Sequence, residues 1–101
     1  MSHKYTLIVY TSPVEGREDD YNTWYDGTHL AEFSALPGVI SGRRFKVAGD
    51  GKPPLYAAVY DLSAHPDEVM AAMNAGIKDG TVHMTDALDP GSLSMTTLVP
   101  R

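Results

Sequence analysis

The chain contains no cysteine among its 101 residues. Disulfides, thiolate nucleophiles and cysteine-ligated metals are therefore excluded. Basic residues are scarce: 8 Lys and Arg stand against 13 Asp and Glu, for a formal net charge of −5. A mildly acidic surface repels phosphate backbones, and Arg43, Arg44 and Lys46 form the only basic cluster, so nucleic acid is not an expected partner. Long hydrophobic runs are missing as well. Nothing approaches the ~18 residues of a membrane span, and the opening MSHKYTLIVYTS is too short and polar-flanked for a secretory signal. These absences predict a cytoplasmic protein with no membrane partner. Paired-histidine metal motifs, a GxSxG elbow, a phosphate-cradling glycine loop and a dinucleotide fingerprint are also lacking. The expectation is no metal and no cofactor.

What is present fits one small globular domain over 1–101, with 43% hydrophobic and 21% charged residues. KYTLIVYT (4–11) is an apolar and aromatic run that predicts a first strand. Residues 18–35 predict a helix, with Glu18, Asp19 and Asp20 in the first turn, where the helix dipole favours acid. Gly27 is a weak point midway, and Pro37-Gly38 ends the helix. VISGRRFKV (39–47) predicts strand two, AGDGKPP (48–54) a hairpin turn with an Asp-Gly signature, and LYAAVYDL (55–62) strand three. Ser63 is the candidate cap of a second helix over 66–77, whose buried face is VMAAM (69–73). Residues 81–91 are ambiguous, and SLSMTTLV (92–99) predicts strand four.

The order strand, helix, strand, strand, helix, strand implies an α+β, ferredoxin-like antiparallel sheet with two helices on one face. Strands one and three are apolar on both faces, whereas a sheet with one face in water should alternate. No segment is left to cover the second face, so a second copy of the chain, packed sheet to sheet, is the expected cover in a two-fold homodimer.

The chemistry-bearing residues concentrate in 15–45. On a helix, Tyr21, Tyr25, His29 and Phe33 form one stripe, with Asp26 within reach of His29. A histidine with a carboxylate and a phenol beside it can act as a general base or acid near neutral pH, while the aromatic stripe would wall a site for a carbon-rich molecule. The same residues equally suit an ordinary core face with an inert histidine. Arg43 and Arg44, adjacent on a strand, point to opposite faces. The inward one could hold a carboxylate, enolate or phenolate, and the other would be an edge charge. Tyr56 and Tyr60 share a face and, with Tyr10, could line a cleft or simply pack. His83 could approach the cleft mouth or sit on a surface loop. His3 and His65 read as surface residues.

EGREDDYNTWYDGTHL followed by LPGVISGRRF resembles the signature of the ethyl tert-butyl ether degradation (EthD-like) family of the dimeric α/β barrel superfamily. Trp24, Tyr25, Asp26, His29 and Leu30 match its W-Y-D-x-x-H-L core. Pro37, Gly38, Arg43, Arg44 and Phe45 match its continuation. The resemblance implies the barrel and the dimer. It bears less closely on function, since related barrels include cofactor-free monooxygenases, isomerases, cyclases, lyases and proteins of no known activity. From the constellations above, His29, Asp26 and Tyr25 are the candidate catalytic residues, and Tyr21, Phe33, Arg43, Arg44, Tyr10, Tyr56, Tyr60 and His83 the candidate substrate-binding ones.

The expected function is a small cofactor-independent enzyme acting on a hydrophobic, aromatic or polyketide-like molecule. His29, oriented by Asp26, would move a proton, while Tyr25 and an arginine polarise a carbonyl. Isomerase, cyclase, lyase and oxygenase chemistry remain open. So do a non-catalytic ligand-binding or accessory protein and a structural dimer with a vestigial cleft.

Overall fold

The structure is a computed structural model and describes residues 4–101; His3 lies outside them. Strand β1 (Tyr5–Thr11) leads through a loop to α1 (Glu18–Trp24), a π-helical turn (Tyr25–His29) and α2 (Leu30–Ser34), which run on as one continuous helix. Strands β2 (Val39–Lys46) and β3 (Tyr56–Leu62) form a hairpin. α3 (Pro66–Asp79) follows, then an irregular strap, a 3-10 turn (Pro90–Ser92) and β4 (Ser94–Leu98). The four strands form one sheet in the order β2-β3-β1-β4, antiparallel throughout. This is the ferredoxin-like α+β arrangement.

The turn over 48–54 joins β2 to β3, and the Val47 amide donating to the Leu55 carbonyl at 2.8 Å closes it. One local reading differs from the sequence expectation. Ser63 does not cap the second helix. His65 does, its Nδ1 accepting from the Asp67 amide at 3.1 Å, while the Ser63 amide donates to Gly38. With Pro66 already at the first helical position, the side chain immediately before it is the one within reach of the free amides.

Register fixes the two faces of the sheet. Tyr5, Leu7, Val9 and Thr11 sit opposite Leu62, Tyr60, Ala58 and Tyr56, and this face carries the helices. Its core joins Leu7, Ala58, Tyr60 and Leu62 to Tyr21, Tyr25 and Phe33 of the long helix and Val69 of α3. The other face presents Ile8 and Tyr10 opposite Val59 and Ala57, with Arg43 and Phe45 beside them on β2. Among the described residues no element covers it, and Phe45 and Leu98 are each 50% exposed. Among the described residues no helix is long and apolar enough to cross a membrane.

Candidate functional site

The long helix is not uniformly α. Four residues at 3.6 per turn advance about 40° past a full turn, so Tyr21, Tyr25, His29 and Phe33 would smear over about 120° of an ideal helix. The π turn, closed by the Leu30 amide on the Tyr25 carbonyl, sets everything after it back by one residue, about 100°. His29 and Phe33 thereby return to the line of Tyr21 and Tyr25, and all four are buried. Gly27, a poor helix former, lies inside this turn.

Between this helix, α3 and the sheet lies a cavity of ≈ 60 Å³. Tyr25, His29, Phe33 and Tyr60 form its inner wall; Val9, Met70, Met73, Leu93 and Met95 complete it. Leu93 and Met95 are 50% and 47% exposed, so the apolar lining continues outward to the surface. Tyr60 fits because of Gly42. A β-carbon at residue 42 would come within 2.8 Å of the Tyr60 ring, so the glycine in the middle of β2 marks a close approach. Sequence reasoning passed over Gly42, although a lone glycine inside a strand pattern is a readable signal.

His29 is 5% exposed. Its ring stacks on Trp24, at 4.5 Å between centres and 18° between planes, and meets Tyr25 edge-on at 5.1 Å. Its Nδ1 is buried without a hydrogen-bond partner. Burial disfavours the imidazolium and, despite the pull of Glu32, lowers the pKa from 6.5 to about 4; Arg44 adds to the depression. Tyr60 Oη is likewise buried without a partner in full hydrogen-bond geometry, although the Tyr25 hydroxyl lies close enough to interact with it. Burial, reinforced by Tyr25, drives its pKa far above the usual phenol value, so it is a permanent O–H. Burial also raises Tyr25.

Behind Tyr25 stands Arg44. Its guanidinium carbon lies 4.2 Å from the Tyr25 ring centre, 5.1 Å from Tyr56 and 5.4 Å from Tyr21. Nη1 donates to Asp26 Oδ1 at 2.7 Å and Nη2 to Asn22 Oδ1 at 3.0 Å. Nε is the third buried polar atom without a partner. Asn22 Nδ2 donates to the Tyr56 hydroxyl at 3.2 Å, and that hydroxyl donates in turn to Glu18. A polar chain thus runs Glu18–Tyr56–Asn22–Arg44–Asp26 along the helix edge.

Several expectations are corrected by this geometry. Asp26 does not orient His29; Arg44, the stronger and permanently charged partner, takes it. The His29 pKa is lowered to about 4, not held near neutrality, because burial outweighs the pull of Glu32. Tyr10 is on the opposite face from Tyr56 and Tyr60 and does not share their cleft. Arg43 faces the open side, 3.9 Å from Asp61. Tyr21 is fully buried with its hydroxyl on Thr11, and it does not line the cavity. Tyr56 belongs to the polar chain.

His83 is exposed on the strap after α3. Its ring Nδ1 lies 2.6 Å from Glu32 Oε2, its amide donates to Glu32 Oε1 at 2.8 Å, and its carbonyl accepts from Trp24 Nε1 at 3.0 Å. Burial alone would raise the Glu32 pKa, but these bonds from His83 hold it below the ordinary value.

A larger open groove of ≈ 760 Å³ lies between the 13–18 and 46–54 loops. Neither His29, Tyr60 nor Arg44 lines it, so the smaller cavity is the better candidate site. Among the described residues no three His, Asp or Glu side chains gather as they would to hold a metal.

No protein-family model matches the chain, and no curated protein matches it in sequence. Solved structures do. An ethyl tert-butyl ether degradation (EthD) family protein from Bacillus halodurans C-125 superposes with a TM-score of 0.65 at 14% identity, covering 96% of this chain and 99% of that one. The chain shares its fold with that protein. SnoaB, a cofactor-independent oxygenase from Streptomyces nogalater, superposes with a TM-score of 0.58 at 12% identity, covering 99% of this chain and 95% of that one. The EthD-like resemblance of residues 15–45 thus has a structural counterpart along almost the whole chain.

Proposed function

We propose that the chain is a small cofactor-independent enzyme whose cavity receives a hydrophobic small molecule, with His29 exchanging a proton with it. One observation carries this reading. All three buried side-chain polar atoms without a partner, among the described residues, belong to His29, Tyr60 and Arg44. Leaving such atoms unpaired costs roughly 1–3 kcal/mol each. The atoms on His29 and Tyr60 stand on the cavity wall, and a bound molecule is the partner these two lack; Arg44 Nε stands behind Tyr25, outside the lining. The likeness to SnoaB, described as a cofactor-independent oxygenase, supports chemistry of that broad kind. Isomerisation, cyclisation and lyase chemistry use the same equipment.

In this reading neutral His29 accepts a proton from the substrate. Tyr60, and Tyr25 beside it, steady the oxygen on which charge develops. The open sheet face is covered by a second copy of the chain, in a homodimer burying at least ~1,200 Å². Lacking cysteine, the protein suits a reducing cytoplasm.

The rival is a binding or accessory protein without turnover. The absence of a carboxylate partner for His29 and its low proton affinity favour that rival.

The deciding experiment is mass spectrometry of any molecule carried through purification, followed by turnover assays on it. His29→Ala should slow turnover by ~10²-fold or more with little change in affinity. Unchanged turnover would make His29 a packed core residue, and binding without turnover would establish the rival. Sedimentation should show a dimer at micromolar concentration; a stable monomer would refute that part.

A further inference from the structure

We infer that the cavity selects an uncharged ligand carrying one hydroxyl or carbonyl head group, and rejects the corresponding carboxylate. This deepens the proposed function and rests on its assignment of the cavity.

The lining holds no charged side chain: Val9, Phe33, the three methionines and Leu93 are apolar, and Tyr25, His29 and Tyr60 are its only polar members. Arg44 is packed behind the wall, against the Tyr25 ring, and it is already engaged. Its two terminal nitrogens are held by Asp26 and Asn22, and the Tyr25 ring lies against its guanidinium at 4.2 Å. A carboxylate entering the cavity would lose its hydration and meet no cation free to replace it. Two phenols of the wall report the same balance. Tyr25 and Tyr60 both feel Arg44, which favours their ionised forms, yet burial outweighs it and both are held protonated.

The two unpartnered atoms on the wall specify the head group. Tyr60 Oη is a fixed donor, since its proton is not lost. His29 Nδ1 is an acceptor or a donor according to tautomer. A ligand hydroxyl can accept from Tyr60 and donate to His29; a carbonyl can accept from both.

The rest of the ligand is set by the shape. At ≈ 60 Å³ the cavity accepts a head group and little more. The body must pass between Met70, Met73 and Met95 and rest on exposed Met95 and Leu93. Methionine is unbranched and repacks readily, which suits a mouth that opens around an apolar body.

Three probes of one skeleton test this by calorimetry at pH 7: 2-naphthol, naphthalene and 2-naphthoate. On the wild-type protein, 2-naphthol should bind at least ~10-fold tighter than either of the others, the size of one good buried hydrogen bond. Tyr60→Phe, which removes a single oxygen, should weaken 2-naphthol by ~10-fold while leaving naphthalene unchanged, so that any remaining preference rests on His29 alone. Met73→Trp, which narrows the mouth, should weaken all three. If 2-naphthoate binds as tightly as 2-naphthol and Met73→Trp abolishes both, the cavity is the site but the head-group inference is wrong. If no probe binds, or binding ignores Met73→Trp, the assignment of the cavity fails and the inference falls with it.

Discussion

The indole of Trp24 lies flat on the imidazole of His29, 4.5 Å between centres and 18° between planes. It is also hydrogen-bonded to the His83 carbonyl at 3.0 Å, so the strap after α3 and the central histidine are joined through one ring. Truncation should therefore have two effects. Trp24→Ala should cost ~3 kcal/mol or somewhat less, since the ring is only half-buried. It should also re-hydrate His29 and move its pKa upward from about 4. Chemical denaturation measures the first effect and NMR titration of the imidazole the second. An unchanged titration would mean that other neighbours, not Trp24, keep His29 dry.

His29 should give stability a definite pH dependence. Its folded pKa is depressed to about 4 from 6.5, so below pH 6.5 the unfolded chain binds the proton more readily. Stability supplied by the neutral ring is complete above pH 6.5 and is lost as pH falls towards 4. The loss across that window is on the order of 3 kcal/mol. His29→Gln should flatten the slope between pH 6.5 and 4.5 in urea denaturation. A slope that survives the substitution would assign it to other groups.

Tyr60→Phe should separate folding from function. The hydroxyl is buried and unpartnered, so removing it spares a desolvation cost. Thermal denaturation should show the variant as stable as the parent, or more stable by up to ~1–2 kcal/mol. A marked loss of stability would reveal a hydrogen bond at Tyr60 Oη and remove one support of the proposed site.

Gly27→Ala tests the π turn. A β-carbon at residue 27 meets nothing within 4 Å. Alanine should therefore stabilise the helix by roughly 0.5–1 kcal/mol through propensity alone. A loss would show that glycine is needed for the turn's geometry.

The strand boundaries and the sheet's two faces were legible in the sequence because hydrophobic runs and alternation are local signals. The stripe of Tyr21, Tyr25, His29 and Phe33 was legible in its spacing. The partners of its charged neighbours were not. Asp26 is one turn from His29 in the chain, yet it pairs with Arg44, 18 residues away across the helix–sheet contact. Tyr10 looks like Tyr56 and Tyr60 in composition, but antiparallel register sends it to the other side. The methionines of the mouth come from α3 and β4, elements that meet only in three dimensions. Such pairings are decided by packing across long separations, on which local periodicity is silent.

The wide turn at Tyr25–His29 also changes how this chain should be laid beside others. The helix holds one residue more than its buried stripe requires, and the surplus is accommodated on the outside, where Asp26 and Gly27 are exposed. A gene one codon shorter at this point would encode an unbroken α-helix with the same four rings on the same side. An alignment that forbids a gap between Tyr25 and His29 would then equate this histidine with a residue that faces elsewhere, and a real correspondence would read as a missing one.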